Sequence, residues 1–565
     1  MQGLTKSWVL PPETTQSLSV VERILQARGI AESDGVLAFL ESKLSSLEPP
    51  ETFAGMATAA KLLCQAFRDG KKVLIFGDYD ADGITAASVL FHIFKSATGK
   101  QVPIHIPDRT NDGYGVKTSS IESFAKEGIE LIVTVDCGIT AIDAAALAKG
   151  VGIDLIITDH HKPLEDGTLP DCAAIVHPTL ENESATPLAG VGVAYMLAWA
   201  FARAWSGSNE VTEELKNTLL AMLPITAIGT VADMVPLQGS NRILTRWGLL
   251  MMRSSTNEGV QALLSEQGLL EKNLRTSDIS FGIAPMINAV GRLAHASTAV
   301  DVLTKLKQPL VTEAVSELSE LNRKRQRIQK TIVEEALALI TQEESLPNIV
   351  ILKNDSWQRG IVGVAAGKCV ETHYRPTILF AEDGGNYVGS ARSIKGFSIF
   401  HALNACSELI EEFGGHDMAA GMTIQKSNFD AFKSAMVAFA DAHLDNPIPS
   451  VEADVVLSID DIKNMNIETF EQLAPFGIGN KTPIAVMKNV KVDDIKRMGK
   501  EGTHLNMRVG DSKGRVRCVW WGKGDVCDTL SRGATIHLIG KLSVNEFRNR
   551  KSIEIDLQDI ALPSA

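Results

Sequence analysis

The chain has 565 residues, 45% of them apolar and 22% charged, with a net charge of −13 at pH 7. Such a length predicts about three or four domains, and no apolar run reaches the roughly 18 residues of a membrane span, so no membrane association is expected. The first dozen residues lack the basic-then-apolar order of a secretory signal. Seven scattered cysteines with no Cys-x-x-Cys pair argue against a disulfide framework or a zinc ribbon, and the two features together predict a cytoplasmic location. The overall charge disfavours nucleic-acid binding, because phosphate contacts need Lys and Arg. The charge is uneven, however: residues 481–565 carry 16 Lys and Arg against 10 Asp and Glu, a net +6, which leaves −19 on the rest.

Strand and helix patterns alternate from about residue 73. Val73-Leu74-Ile75-Phe76 reads as a buried strand, followed by a helix from Ile84 to about Ser96. Ile104-His105-Ile106, Leu131–Val135, Leu155–Thr158 and Ala174-Ile175-Val176 read as further strands, with the Ala-rich helical stretch Ala141–Lys149 between the third and fourth. This alternation predicts a doubly wound parallel sheet, whose ligands sit beyond the carboxyl ends of the strands. Val311, Val315, Leu318 and Leu321, then Ile328, Ile332 and Ala336, keep helical spacing and predict one long helix over 311–342. Its basic middle, Arg323 to Arg327, is that of a helix bridging two domains. A second α/β unit follows at about 345–445, with strands at Ile349–Leu352 and Thr377–Phe380. The last 110 or so residues read as all-β.

The strand ends carry the chemistry. The first runs into Asp78-Tyr79-Asp80-Ala81-Asp82-Gly83, the third into Asp136-Cys137-Gly138 and the fourth into Asp159-His160-His161; Asp233 follows the apolar stretch Ile225–Val231. Taken singly, the aspartate run reads as a calcium loop or a solvated turn, the histidine pair as structural, and Asp233 as a helix cap. Together, at successive ends of one parallel sheet, they meet in one place. Crowded carboxylates raise one another's pKa and call for bound cations. Oxygen donors with one or two imidazoles suit Mn²⁺ or Mg²⁺, and two such ions about 3.5–4 Å apart grip a phosphate and activate a water.

These segments, as spaced, resemble those of the DHH phosphoesterases, and Gly414-Gly415-His416 through Ala420-Gly421 resembles the glycine-rich motif of their DHHA1 domain. Further runs resemble motifs of the RecJ group of single-strand-specific 5′→3′ exonucleases. They are Asn288-Ala289-Val290-Gly291-Arg292, Ser390-Ala391-Arg392-Ser393, Ala474-Pro475-Phe476-Gly477-x-Gly479-Asn480 and Asn545-Glu546-Phe547-Arg548. One departure stands out: Trp357-Gln358-Arg359-Gly360 replaces the group's Trp-His-Gln-Gly.

The resemblance implies an α/β protein with a DHH catalytic domain (51–310) after an N-terminal extension (1–50), a connecting helix (311–342), a DHHA1 domain (343–447) and an OB-fold β-barrel (448–565), the two α/β domains flanking a central groove. It implies two divalent ions, Mn²⁺ or Mg²⁺, on Asp80, Asp82, Asp136, His160 and Asp233. Asp136 would bridge them, and Asp78 and His161 would stand in an outer layer or meet the scissile phosphate. The expected activity is removal of mononucleotides from 5′ ends of single-stranded DNA in recombination and repair, by a monomer helped by a single-strand binding protein and a helicase.

Nucleic-acid contacts are expected from Arg109, Asn288, Arg292, Trp357, Ser390, Arg392, Gly415, His416 and Arg548. Arginine suits bidentate phosphate binding, and the glycines let backbone approach a strand. In the barrel, Lys513, Arg515, Arg517, Trp520, Trp521, Phe547 and Arg548 are candidates for a stacking and phosphate-tracking groove. Adjacent strand residues face opposite ways, so one of the two tryptophans belongs to the core. Two rival readings are a phosphodiesterase acting on short oligonucleotides or cyclic dinucleotides, which would need no basic barrel, and a non-catalytic DNA-binding scaffold, which would have lost metal ligands.

Overall fold

The computed structural model of the chain describes residues 1–12, 17–108, 113, 115–182, 186–208, 210–293, 296–342, 345–510, 514–548 and 550–563. These divide into two compact units. One comprises Gly29–Asn322 and Asn466–Thr482; the other comprises Met1–Arg28, Arg323–Met465 and Pro483–Ala565.

The first unit is built on a five-stranded, all-parallel sheet. Its order is Ile104–His105, Val73–Gly77, Leu131–Val135, Asp154–Thr158 and Ala174–Val176. The strands are apolar at nearly every position because both faces are covered. Val73, Ile75, Leu131 and Val133 feed one core, while Leu74, Phe76, Ile132, Leu155 and Ile157 feed another. The first core also receives the buried helices Ala81–Thr98, Gly190–Ser206 and Glu213–Ala232. The last of these is long and apolar enough to cross a membrane, but two thirds of it is buried inside the protein. The helix after the first strand starts at Ala81, three residues before the sequence suggests, because the Asp80 carboxylate accepts the backbone N–H groups of Asp82 (2.9 Å) and Gly83 (3.1 Å).

The long helix runs Leu310–Ile340. Val311, Val315 and Leu318 are buried in the first unit's core, Ile332, Ala336 and Ile340 are buried further along, and Arg323, Lys324 and Arg327 between them are exposed.

The described residues of the second unit form three sheets, two larger ones and a two-stranded one. Of the larger two, one has the order Glu412–His416, Ala419–Gln425, Asn386–Arg392, Thr377–Asp383 and Val350–Asn354, with only the last pair parallel. Its core includes Ile351, Ile378, Phe380, Phe432 and Met436. The other is a barrel: Ile484–Met498, His504–Gly510, Arg515–Trp520, Arg550–Ala561 and Thr535–Phe547 pair in that order, and the last pairs back to the first. Register breaks between Val492 and Asp494 and between Met487 and Val490 bend the longest strand as closure requires. Two short helices, Ile459–Asn464 and Ile467–Glu471, depart from the all-β expectation. The first has a Ser458–Asp461 capping box and the second an Asn466 cap, local signals that outweigh the lack of a long helical period. The N-terminal strand Ser7–Val9 pairs in parallel with Ser450–Glu452.

Candidate metal centre

The sheet order fixes where chemistry can collect. Val73–Gly77 lies between Ile104–His105 and Leu131–Val135, so successive crossovers leave it in opposite directions and open a crevice at its carboxyl end. Asp78, Asp80 and Asp82 follow that strand, Asp136 follows its neighbour, and Asp159, His160 and His161 follow the next. Asp233 arrives differently, as the C-cap of the helix Glu213–Ala232, so the apolar run before it is helical and not a strand.

The side chains converge. His160 Nε2, buried and without a hydrogen-bond partner, lies 3.1 Å from Asp136 Oδ1, 3.7 Å from Asp233 Oδ2 and 3.9 Å from Asp82 Oδ2. Among the described residues, three overlapping groups each bring their donor atoms within 4.8 Å of one another: Asp78 with Asp80 and Asp136; Asp82 with His160 and Asp233; and Asp136 with His160 and His161. Asp78 therefore stands among the candidate ligands rather than outside them.

The backbone is shaped around the cluster. Asp136 has φ +62°, a left-handed conformation that costs a non-glycine residue on the order of 1–3 kcal/mol. Asp82 Oδ2 and Oδ1 accept the N–H groups of Gly190 (2.6 Å) and Val191 (2.8 Å), where the positive end of the helix Gly190–Ser206 favours a carboxylate. A Cβ on Gly190 would come within 2.6 Å of the Asp136 Cβ, so only glycine fits there.

Asp159, which the sequence analysis does not single out as a site residue, organises the histidines. Its Oδ1 accepts the N–H groups of His160 (2.7 Å) and His161 (3.1 Å) and lies 2.8 Å from His161 Nδ1, while Oδ2 accepts from Ile139 N (2.9 Å). It is a carboxylate behind an imidazole, a common support for a metal-site histidine. The only signal in the sequence is its adjacency to His160.

Burial, with Asp233 and Asp80 nearby, pushes Asp82 well above the usual carboxylate range; burial, with Asp82, Asp80 and Asp78 nearby, does the same to Asp136. Burial and Asp80 push Asp233 up to about 7. Burial lowers His160 to about 4, so its imidazole is neutral and able to ligate at neutral pH. For His161, burial alone would lower the pKa, but the Asp159 hydrogen bond and charge outweigh it and raise it. Carboxylates that oppose one another's ionisation, a neutral imidazole among them and no thiolate in the set form a donor array that fits hard divalent cations.

A cavity of about 330 Å³ opens beside the cluster, lined by Asp78, Tyr79, Asp80, His161, Asn288, Gly291 and Arg292. Arg292 and His161 thus border one space, as does Tyr79, to which the sequence assigns no role. Asn288 is partly committed: its Oδ1 accepts the N–H of Ala81 at 2.7 Å, tying the Asn288–Arg292 run to the aspartate loop. Arg109 lies outside the described residues.

In the other unit, Ser390 and Arg392 lie on the same face of the strand Asn386–Arg392, and Arg392 Nη1 donates to Ser390 Oγ at 3.2 Å. Gly421 and Ala419 pair opposite them. Gly415 has φ +144° and a Cβ there would strike Ala419 O; His416 beside it is exposed. Trp357 requires a correction. It is 4% exposed and its Nε1 donates to Glu335 Oε2 at 2.7 Å, so it is a core anchor and offers no stacking face. Arg359 of the same run pairs with Asp383 at 2.8 Å.

In the barrel, Trp520 is buried and Trp521 is 60% exposed, as adjacent positions require. Phe547 is exposed, with the Arg548 guanidinium 5.2 Å from its ring centre. Arg517 pairs with Glu554 (2.7 Å) and Arg515 with Asp493 (2.8 Å), so each of these candidate cations already has a carboxylate partner. Lys513 lies outside the described residues.

Residues 72–228 match the DHH family, N-terminal domain, residues 346–442 the DHHA1 domain, and residues 453–559 the RecJ OB domain. The single-stranded-DNA-specific exonuclease RecJ of Bacillus subtilis is 35% identical over 96% of this chain and 68% of its own length; that of Escherichia coli is 31% identical over 96% and 95%. The crystal structure of RecJ in complex with Mn²⁺ from Thermus thermophilus superposes with a TM-score of 0.82 at 28% identity, covering 99% of this chain and 80% of that one. A second structure of the Thermus thermophilus protein, in complex with Mg²⁺, superposes with a TM-score of 0.75 at 26% identity, covering 99% of this chain and 79% of that one. The chain belongs to the RecJ family of single-stranded-DNA-specific exonucleases.

Proposed function

We propose that this chain hydrolyses single-stranded DNA from its 5′ end to mononucleotides, using two divalent ions, Mn²⁺ or Mg²⁺, in recombination and repair. The observation that carries the reading is the convergence of Asp78, Asp80, Asp82, Asp136, His160 and Asp233 at the crevice of a parallel sheet, beside a cavity bordered by Arg292. Asp136 and His160 are each common to two of the three donor groups, and of the two only Asp136, with two carboxylate oxygens, could serve both ions. When bound, the ions would balance the carboxylate charge, polarise the phosphodiester and lower the pKa of a bound water. The chain's own side chains do the rest. Asp159 fixes the His161 ring at the cavity wall, and Arg292 supplies a cation for a non-bridging phosphate oxygen.

Direction needs a group that reads the strand end, and Arg392 with Ser390 is the pair we assign to a terminal 5′-phosphate. Trp521, Phe547 and Arg548 are assigned to stacking and phosphate contacts along a single strand. A single-strand binding protein and a helicase are the proposed helpers of a monomeric enzyme. Cytoplasmic location fits seven cysteines that are all free thiols.

The test is digestion of single-stranded DNA, single-stranded RNA and duplex DNA, each labelled at one end or the other, with Mn²⁺, with Mg²⁺ and with chelator. The expected result is labelled mononucleotide from 5′-labelled single-stranded DNA at the earliest times, abolished by chelator. Early release from the 3′ label, or digestion in chelator, would overturn the proposal.

A further inference from the structure

Asp233 reaches the metal centre from a turn, not from the sheet, and something must hold that turn. It spans residues 233–238, between the helices Glu213–Ala232 and Gly239–Met252, and Met234 within it has φ +64°. The segment 472–480, which lies within the part of the chain matched by the RecJ OB domain, is packed as part of the catalytic unit. It grips this turn. Leu237 N donates to Ile478 O at 2.7 Å, and Gln238 Nε2 donates to Gly479 O at 3.0 Å. A Cβ on Gly477 would come within 2.7 Å of Leu237 Cδ1, and one on Gly479, whose φ is +70°, within 2.9 Å of Pro236 Cβ. The glycines of the Ala474–Asn480 run are thus explained by the close approach of the two backbones.

The segment is itself tethered by several hydrogen bonds. Arg242 is 2% exposed, and its guanidinium donates to Leu473 O (3.0 Å), Gln472 O (2.8 Å) and Ala474 O (2.9 Å). Asn480, 1% exposed, donates to Leu473 O and Pro475 O, both at 2.8 Å, and Thr276 Oγ1 donates to Phe476 O at 2.5 Å. Asn241 Nδ2 completes the hold by donating to Pro236 O at 3.0 Å.

We infer that the segment 472–480 is a positioning strap for Asp233, setting the turn so that its carboxylate reaches the metal centre. The inference rests on the proposed ligand role of Asp233 and names Gly477, Gly479, Thr276 and Gln238 as positioning residues. A strap acting through Asp233 has no further effect once the Asp233 carboxylate is gone. A merely structural role would add its cost whatever stands at 233.

The experiment is calorimetric titration of the metal-free, full-length protein with Mn²⁺ alone, for wild type, Asp233→Asn, Gly479→Ala and the double variant. Gly479→Ala is expected to weaken Mn²⁺ binding at least tenfold, and the double variant to bind as Asp233→Asn does. Wild-type affinity in Gly479→Ala, or a double variant whose loss is the product of the two single losses, would overturn the strap while leaving the metal site standing. Wild-type affinity in Asp233→Asn would overturn the ligand assignment, and the strap with it. Should Gly479→Ala not fold, the double variant Thr276→Val with Gln238→Ala removes two tethers without adding bulk and is read in the same way.

Discussion

Asp233 and its neighbours make the metal-free protein a carboxylate cluster under stress. A carboxyl whose folded pKa is raised to about 7 binds its proton more tightly folded than unfolded. Its contribution to stability is full below the unfolded value near 4 and is lost as pH rises through about 7. Metal-free protein should therefore lose stability between about pH 4 and 7, and Asp233→Asn should flatten that loss; thermal unfolding across this range in chelator checks both. Mn²⁺ should raise the unfolding temperature more at pH 8 than at pH 6, because the cation competes with protons for the same oxygens. At Arg392, truncation to Ala should cost about 2–4 kcal/mol of transition-state stabilisation on 5′-phosphorylated strands and less on 5′-hydroxyl ends; equal proportional losses would remove it as the end reader. At this scale the sequence reveals the donors but not their supports. Asp78, Asp136 and His160 are legible because strand ends in a parallel sheet must meet. The role of Asp159 depends on a hydrogen bond across a turn, and the burial of Trp357 on an acceptor, Glu335, 22 residues away.

At the scale of elements, the strands and the long helix follow their apolar periods closely, and what escapes the sequence is joinery. The N-terminal strand is pinned by Asp559, a fully buried carboxylate that accepts from Thr5 N (3.1 Å), Lys6 N (2.9 Å) and Trp8 Nε1 (2.9 Å), partners more than 550 residues apart in the chain. No local pattern encodes such a pairing. Asp559→Ala would leave these donors without their acceptor and should destabilise the unit by about 2–4 kcal/mol, with early proteolysis near the N-terminus. Asp559→Asn, which keeps one acceptor oxygen, should cost less. Urea unfolding of both variants checks the order, and equal costs would mean that charge, not hydrogen bonding, holds the strand. The strap at 472–480 is joinery of the same kind: its glycines are visible in the sequence, but not the turn they lie against.

At the scale of the whole molecule, the net charge of −13 is unevenly distributed: acid gathers at the sheet crevice, and the barrel region has a basic balance with exposed aromatics, the separation on which the proposed handling of a polyanion rests. Replacing Trp521, Phe547 and Arg548 with Ala should weaken binding to long single strands and lower the salt slope by about 0.7, because one phosphate is no longer neutralised, with hydrolysis of short oligonucleotides retained. An unchanged affinity for long strands would move the binding surface elsewhere. The barrel's basic balance is legible from composition, but the pairing of Arg515 and Arg517 with carboxylates is not, since Glu554 meets Arg517 from a paired strand and Asp493 meets Arg515 from a strand beyond its neighbour. The hydrolysis is assigned to one acid-and-histidine cluster, with Asp136 proposed to serve both ions. The most direct test of this assignment is the rate of mononucleotide release from 5′-labelled single-stranded DNA in Mn²⁺ by wild type and by Asp136→Ala, with folding of both confirmed by thermal unfolding. A folded variant slower by several orders of magnitude is expected; a folded Asp136→Ala protein that digests the strand at a rate near that of wild type would remove the cluster as the site of hydrolysis.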